Sequence, residues 1–550
     1  MQRPRLARAA AIAAGPILMV VPRTVIELRG VGFAYEKWDL LALKLAASLV
    51  VLGLVIAALR YVHRLGERRA DDLLVLAASL SVAIWFNFGA LHGRATTHHW
   101  EQFHHFLGSR YFAELGYDGL YAASLGDHAD HAADGWVPEY TRDLRNNQIT
   151  PSDELVPQMR EVFAHFTPER WADFSRDHAF FLTWDSFGDL ARFRTDHGYN
   201  ASPTWTFVAQ CIGIWAPASM TWMIVLGSLD VMLLGLMFTM LWRTFGMRPA
   251  CLAIVLFGTG FLPEFEFVGL SFLRFDWLVA VGIAACMLER KRPVVAGALI
   301  GYATAVRVFP LLFLVGPAVL AARALWRGER PTWLAPLGAG FGTALLASFI
   351  LGCFAGRGVE AWPEFAREVR SHSQLWFNNN VGLENVVLYD WDVLSASQVT
   401  DYLAPEPWLE EEATVAQRKV DRHVALIAVR GAFLAVVVAA VWRSALIESV
   451  VASMAAIFAL LSPANYYWGM LTLAVLRPRP GITLALLSAS VLARVVALID
   501  PAYEMRYGTQ SWALALIFLA WLGPDALATL RAAREGWRRR GNAVPETAAS

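Results

Sequence analysis

Runs of apolar residues close to bilayer length recur along the chain, at 39–59, 73–91, 220–241, 331–354, 424–442, 445–462 and 511–527. A helix of about 20 mostly apolar residues crosses the hydrocarbon core, because it satisfies its own backbone N–H and C=O groups where lipid offers them no partner. Further apolar stretches lie at 249–262, 273–288, 467–476 and 481–498, and 293–326 reads as two crossings with a break near Pro310. The pattern predicts an all-α polytopic membrane protein of roughly 12 to 13 transmembrane helices, with a large, mostly helical external loop domain.

Polar positions orient these spans. Lys and Arg gather at Arg60–Arg69, Arg243 with Arg248, Arg290–Arg292, Arg323–Arg330, Arg443, Arg477 with Arg479, and Arg531–Arg540. Placing every cluster on the cytoplasmic side puts 93–204, 262–272, 356–421, 463–467 and 500–509 on the other. At the N-terminus, Arg3, Arg5 and Arg8 precede the run 9–22, which Gly15 and Pro16 interrupt. It reads as a short first span, with an interfacial segment or an uncleaved signal-like start as alternatives. Six segments result: spans at 1–92, a His-rich external domain at 93–204, a central bundle at 205–355, a second external loop at 356–421, a C-terminal bundle at 422–530 and a cytoplasmic tail at 531–550.

The 93–204 stretch is too long for a hairpin and too rich in Asp, Glu, His and Trp for a linker. Its start, from His98 to Gly108, spaces apolar residues as a helix does and sets Glu101, His104 and His105 three or four positions apart on a shared face. Gly116 and Gly119 break that helix. Thr167-Pro168-Glu169-Arg170 reads as an N-cap, a Pro at the first position and an acidic first turn, opening a helix through Phe181. In the second external loop, Asn378-Asn379-Asn380 forms a polar turn beside Trp376 and Phe377. Amides next to aromatic rings suit sugar or head-group contact, because hydroxyls need paired donors and acceptors; an ordinary capped loop gives the same sequence.

Composition narrows the classes. Of 550 residues 56% are hydrophobic and 17% charged, with a formal net charge of +0, so no nucleic-acid footprint is present and partners are expected among lipids and small molecules. The four cysteines, Cys211, Cys251, Cys286 and Cys353, show no paired spacing and read as small buried hydrophobes.

Candidate chemistry starts at Glu101, about ten residues past the end of an apolar run and flanked by four histidines. A carboxylate held there suits a general base toward a hydroxyl. His99, Glu101 and His104 also offer divalent-metal ligands, although the HExxH pattern is absent. A solvated surface helix is the third reading. Asp127-His128-Ala129-Asp130-His131 with Asp134 is a second run of this kind, most simply a wet loop.

Charges within spans are more telling, since each costs roughly 2.5–3.5 kcal/mol at a helix centre and needs a partner or an aqueous cavity. Arg274 and Asp276 open the span 273–288 after the acidic turn Pro263-Glu264-Phe265-Glu266, Arg307 precedes Pro310, and Arg494 lies near the outer end of 481–498. Three guanidiniums near one leaflet suit a phosphate, whose oxygens match their fork; snorkelling or internal Arg–Asp pairs are the alternative. Asp230, mid-span in 220–241, is expected to pair within the bundle.

Taken in order, these features resemble the polytopic GT-C type glycosyltransferases that use polyprenyl-phosphate sugars, most closely glycosyltransferase family 87. The similar segments run from Glu101 through Tyr111 to Gly116-Tyr117-Asp118-Gly119-Leu120-Tyr121, from Gly297-Ala298-Leu299-Ile300-Gly301 to Arg307-Val308-Phe309-Pro310, and across Leu461-Ser462-Pro463-Ala464-Asn465-Tyr466-Tyr467-Trp468. Where the family usually carries Asp and Lys, this chain has Glu101 and Arg307. The resemblance implies a mannose-like hexose transferred from a polyprenyl-phosphate donor to an extracytoplasmic glycan or glycolipid acceptor by inverting displacement, at a bacterial-type cytoplasmic membrane. Glu101 would be the base. Arg307, with Arg274 or Arg494, would hold the phosphate, while Asp276, His104, His105, Tyr111, Tyr466 and Asn378–Asn380 would contact substrate. The residues fix no cofactor, and a divalent cation at His99, Glu101 and His104 stays open beside the polyprenyl-phosphate sugar as donor. A secondary transporter or a lipid-binding scaffold is the competing class, and the chain shows no clear internal repeat of the kind many transporters have.

Overall fold

The structure, a computed structural model, describes residues 2–28, 37–93, 95–131, 138–183, 193–375, 377–389, 405–500 and 503–541. Asp134 and Trp376, singled out above, lie outside the described residues. Among those described, seven helices are long and apolar enough to cross a membrane: Lys37–Arg60, Met220–Phe245, Phe309–Trp326, Leu334–Gly352, His423–Val441, Pro480–Ile499 and Met505–Glu535. Shorter apolar helices, among them Met247–Gly258 and Pro293–Arg307, fill the spaces between them. The expected all-α membrane architecture is therefore present. Its one two-stranded sheet among the described residues is the antiparallel hairpin Tyr140–Asp143 with Gln148–Pro151, turned through Asn147 at φ 63°.

The stretches 467–476 and 293–326 have separate explanations. The 467–476 stretch belongs to a 3₁₀ helix, Asn465–Leu476. At about 2.0 Å per residue its 12 residues reach about 24 Å, against about 18 Å for an α-helix, so tighter winding extends a short sequence. The break expected in 293–326 falls at Val308, in the left-handed region at φ 57°, between the helix ending at Arg307 and a 3₁₀ turn Phe309–Leu314. Pro310 cannot donate to a continuing helix, so Arg307 becomes a helix C-terminus.

The helix carrying Arg307 is packed unusually close to Leu334–Gly352. A Cβ on Gly297, Gly301 or Gly340 would strike a backbone carbonyl of the partner helix, Leu337, Phe341 and Val294 respectively. Small residues let two helices touch backbone to backbone where lipid supplies no hydrophobic drive. The Gly-rich span thus fixes where Arg307 ends up.

The described residues between 95 and 201 form the layer expected to be external, built on the helices Leu120–His131, Val156–Ala164 and Pro168–Thr183. Arg170 N donates to Thr167 Oγ1 at 3.3 Å, as the N-cap reading requires. At 203 the chain turns onto the helix Leu334–Gly352, where Thr204 Oγ1 donates to Ser348 O at 2.8 Å. Pro203–Gly213, capped by Ser202, has only 11 residues, and the next crossing begins at Met220 after the exposed Ile214 and Trp215.

Candidate active site

Glu101 sits in the first turn of a short helix that His98 caps. His98 Nδ1 accepts from Glu101 N at 3.1 Å, so its Nε2 carries the proton and donates to Glu266 O at 2.8 Å. Beyond it, Phe103–Leu107 winds as a π-helix. The wider turn keeps residues four apart aligned and rotates those three apart away, so Glu101, His104 and His105 do not share the face the α-periodicity predicts. His105 lies with Glu101, Nδ1 to Oε2 at 3.3 Å. His104 turns inward, Nδ1 donating to Trp100 O at 2.8 Å and Nε2 accepting from Tyr121 Oη at 2.7 Å.

Arg274 closes the group from the opposite side. Its Nε lies 2.9 Å from Glu101 Oε2, an ion contact rather than an aligned hydrogen bond. Nη1 donates to His105 Nε2 at 2.8 Å and Nη2 to Tyr466 Oη at 3.1 Å. Because a guanidinium only donates, His105 Nε2 must be the lone-pair nitrogen and Nδ1–H must donate to Glu101 O at 3.0 Å. His105 is thereby fixed as the neutral ring. Burial pushes its pKa well below the usual range, helped by the charges of Arg274 and Arg307.

Two motifs apart in sequence meet beside Tyr466. Asn465 N donates to Asn379 O at 2.9 Å, Asn379 Nδ2 donates to Asn465 Oδ1 at 3.1 Å, and Val381 N donates to Pro463 O at 3.0 Å. The Asn378–Asn380 turn is thus joined to the Ser-Pro turn, and Asn380 O accepts from Asn385 Nδ2. Tyr466 follows directly and reaches Arg274.

Arg307 approaches across Trp205, its guanidinium carbon 5.7 Å from that ring, while the other side of the site holds His105 with its ring centroid 5.2 Å from Trp205. Arg274 links Glu101 to Tyr466, and Trp205 carries Arg307 as well as His105, which places these groups around one neighbourhood. Asp276 accepts from Tyr302 Oη at 2.9 Å and from Trp277 N at 2.8 Å, and feels Arg307 directly. Arg307 keeps two buried donors, Nε and Nη2, without a hydrogen-bond partner among the described residues, whereas the one such donor of Arg274, Nε, faces the Glu101 carboxylate. Buried orphan donors are rare in folded proteins and call for a partner of complementary charge. Trp205 went unnoticed in the sequence, although Ser202-Pro203 signals the helix start that delivers it.

Other candidates lie elsewhere. Tyr111 is buried in the aromatic core of the 95–201 layer and donates to Asp177 at 2.7 Å; burial raises its pKa. Arg494 Nη1 donates to Thr259 O at 2.8 Å and Nη2 lies 3.7 Å from Glu264, so it joins an internal pair rather than Arg274 and Arg307. His99 packs against Phe180, and burial drives its pKa down to about 3, with His98 adding to the shift. His99, Glu101 and His104 do not converge, and no group of three or more His, Cys, Asp or Glu able to hold a metal ion occurs among the described residues. In the Asp127 run, Asp127 bonds His178 at 2.6 Å and His128 meets Arg194 at 3.0 Å, so these two side chains are tied into the layer.

Residues 199–463 match the family model of glycosyltransferase family 87. The matched stretch carries Trp205, Arg274, Asp276, Arg307 and the Asn378–Asn380 turn; Glu101 precedes it and Tyr466 follows it. No curated protein and no solved structure matches the chain.

Proposed function

We propose a particular reaction for this membrane glycosyltransferase, whose residues 199–463 match the model of glycosyltransferase family 87. A hexose, mannose-like, passes from a polyprenyl phosphate to a hydroxyl of a glycan or glycolipid on the non-cytoplasmic face of the membrane, with inversion. The observation that carries this reading is the pair of buried donors on Arg307 without a hydrogen-bond partner among the described residues, joined to Glu101 through Trp205 and His105. A guanidinium with unmet donors fits a phosphate, whose oxygens accept at the spacing of its fork.

In this reading Glu101 takes the acceptor hydroxyl proton as the oxygen attacks the anomeric carbon, and the bond from that carbon to the lipid phosphate breaks on the opposite face. The leaving phosphate gains charge, which Arg307 stabilises more effectively in a water-poor site than in water. Arg274 holds the Glu101 carboxylate between itself and His105. Asp276, with Tyr302, and the Asn378–Asn380 turn orient sugar hydroxyls.

The test uses purified protein and radiolabelled polyprenyl-phosphate mannose. Glu101→Gln should lower turnover by about 10²–10⁴-fold, the usual worth of a general base. Arg307→Ala should lower it by about 10²–10³-fold, the worth of one preorganised donor to a developing anion. Full turnover by Glu101→Gln sinks the base assignment, and proteoliposome uptake without product would put a transporter in place of the transfer reaction.

A further inference from the structure

A charge in the middle of a span ordinarily answers another charge, yet Asp230 answers backbone. It is fully buried in helix Met220–Phe245, and its carboxylate accepts Arg274 N on Oδ2 at 3.0 Å and Phe275 N on Oδ1 at 3.0 Å. The guanidinium of Arg274 points the other way, to Glu101, His105 and Tyr466.

The segment being held is one that does not hold itself. Between Gly269 and Phe275 the chain has no regular structure, and Leu270 and Leu273 both lie in the left-handed region, at φ 50° and 51°. Such backbone persists only where its surroundings dictate it. On one side the surroundings are the Glu101 turn and Trp205: His98 N donates to Leu270 O at 3.3 Å, Gln102 Nε2 lies 3.4 Å from Ser271 O, and Trp205 Nε1 donates to Leu273 O at 3.0 Å. On the other side stands helix Met220–Phe245. Gly227, one turn before Asp230, lets Leu270 O approach so closely that any Cβ there would collide with it. Gly227 and Asp230, three residues apart, share a helix face and grip the two ends of the same segment.

We propose that Asp230, assisted by Gly227, is the positioning residue that sets the reach of Arg274 toward Glu101. The inference rests on the reading of Arg274 and Glu101 as parts of the reacting site. The carboxylate fixes the Arg274 backbone from inside the bundle, so the guanidinium projects to the Glu101 turn at a fixed length. Without it, the left-handed segment relaxes and Arg274 withdraws.

A double-mutant cycle on kcat and KM, in full-length protein with polyprenyl-phosphate mannose, tests this. Arg274→Met and Asp230→Ala are each expected to lower kcat about tenfold or more with little change in KM, and the double variant to be no worse than Arg274→Met alone, a coupling of roughly tenfold. Asp230→Asn, which keeps one acceptor for a backbone N–H, should recover most of the loss, and Gly227→Ala should reproduce it. If Asp230→Ala and Arg274→Met multiply in full, or if Asp230→Asn is as impaired as Asp230→Ala, Asp230 acts independently of Arg274 and the proposal is overturned. Should Asp230→Ala fail to fold, Asp230→Asn and Gly227→Ala in the Arg274→Met background carry the same cycle. The base assignment fails separately, through turnover by Glu101→Gln, an outcome the cycle does not depend on.

Discussion

The segment from Thr259 to Phe275 has an arginine at each end, and the two ends are built differently. At the first, Arg494 is 1% exposed and gives its hydrogens to Thr259 O and Ser490 O, with Glu264 3.7 Å away; Lys44 meets Glu266 nearby at 2.8 Å and 3.1 Å. At the second, Arg274 gives its Nη groups to His105 and Tyr466, and Arg307 nearby keeps two buried donors, Nε and Nη2, unanswered where Arg494 leaves only its Nε. An intramembrane arginine is therefore a weak signal taken alone. What separates a brace from a binding group is whether its donors are already met, and only neighbours from distant parts of the chain decide that.

The largest effect that could break this contrast is on stability. Arg494→Met takes from buried Glu264 one of its cations, beside Lys44 and Arg506, and takes the donor from Thr259 O and Ser490 O, which should cost about 3 kcal/mol and lower the thermal midpoint of the detergent-solubilised protein. Replacing both partners, Arg494→Met with Glu264→Gln, should restore the part of that loss that lies in the unbalanced charge. Arg307→Ala should do the reverse, losing turnover at an unchanged midpoint. Arg494→Met protein that melts like the parent yet transfers no sugar would place Arg494 with Arg307 and abolish the distinction.

Hydropathy made the spans legible because burial in lipid acts on every residue of a crossing, whereas the Gly297–Gly301 run read only as a family motif and the tight helix pair that places Arg307 emerges from the packing. Glu101 with His105 was readable at four-residue spacing. What escaped was set by winding and by tertiary partners. The π-turn that sends His104 away from Glu101 replaces a three-residue neighbour by a four-residue one, and composition does not announce it. The 3₁₀ span at Asn465–Leu476 is likewise a matter of pitch. Asp230 read as an ion-pair residue because its partners, two backbone N–H groups, leave no mark in the sequence.

Acid should sharpen the same contrast. His98, His99 and His105 all have pKa values below the usual 6.5, burial being the first cause in each case, with His99 at about 3. Unfolded, these rings take up protons near pH 6.5; folded, they do so only at lower pH. Stability from this source is therefore complete above about pH 6.5 and falls below it, by up to about 1.4 kcal/mol per pH unit for each group. Between pH 7.5 and 5.5 the loss should total on the order of 1–3 kcal/mol. Hydrogen exchange at the two pH values should locate it in residues 98–110, which pack on Arg274, before Pro480–Ile499, which carries Arg494. Equal loosening of both would show that the two ends yield as one unit.

The smallest expected effect asks whether the Arg274 end reaches as far as the asparagine turn. Asn379 holds Asn465 through one side-chain hydrogen bond, and Asn465 is fully buried, its own Nδ2 committed to Leu262 O at 2.9 Å. Removing the Asn379 amide leaves Asn465 Oδ1 short of a donor one residue before Tyr466. The loss of one neutral hydrogen bond is worth about 1 kcal/mol, so Asn379→Ala should cost roughly fivefold in kcat/KM. Asn378→Ala separates two causes. If the turn acts by holding Tyr466 against Arg274, the Asn378 variant keeps kcat and the Asn379 variant loses it. If the turn instead contacts sugar directly, both variants raise KM and leave kcat alone, and the asparagines then belong to the substrate rather than to the Arg274 end.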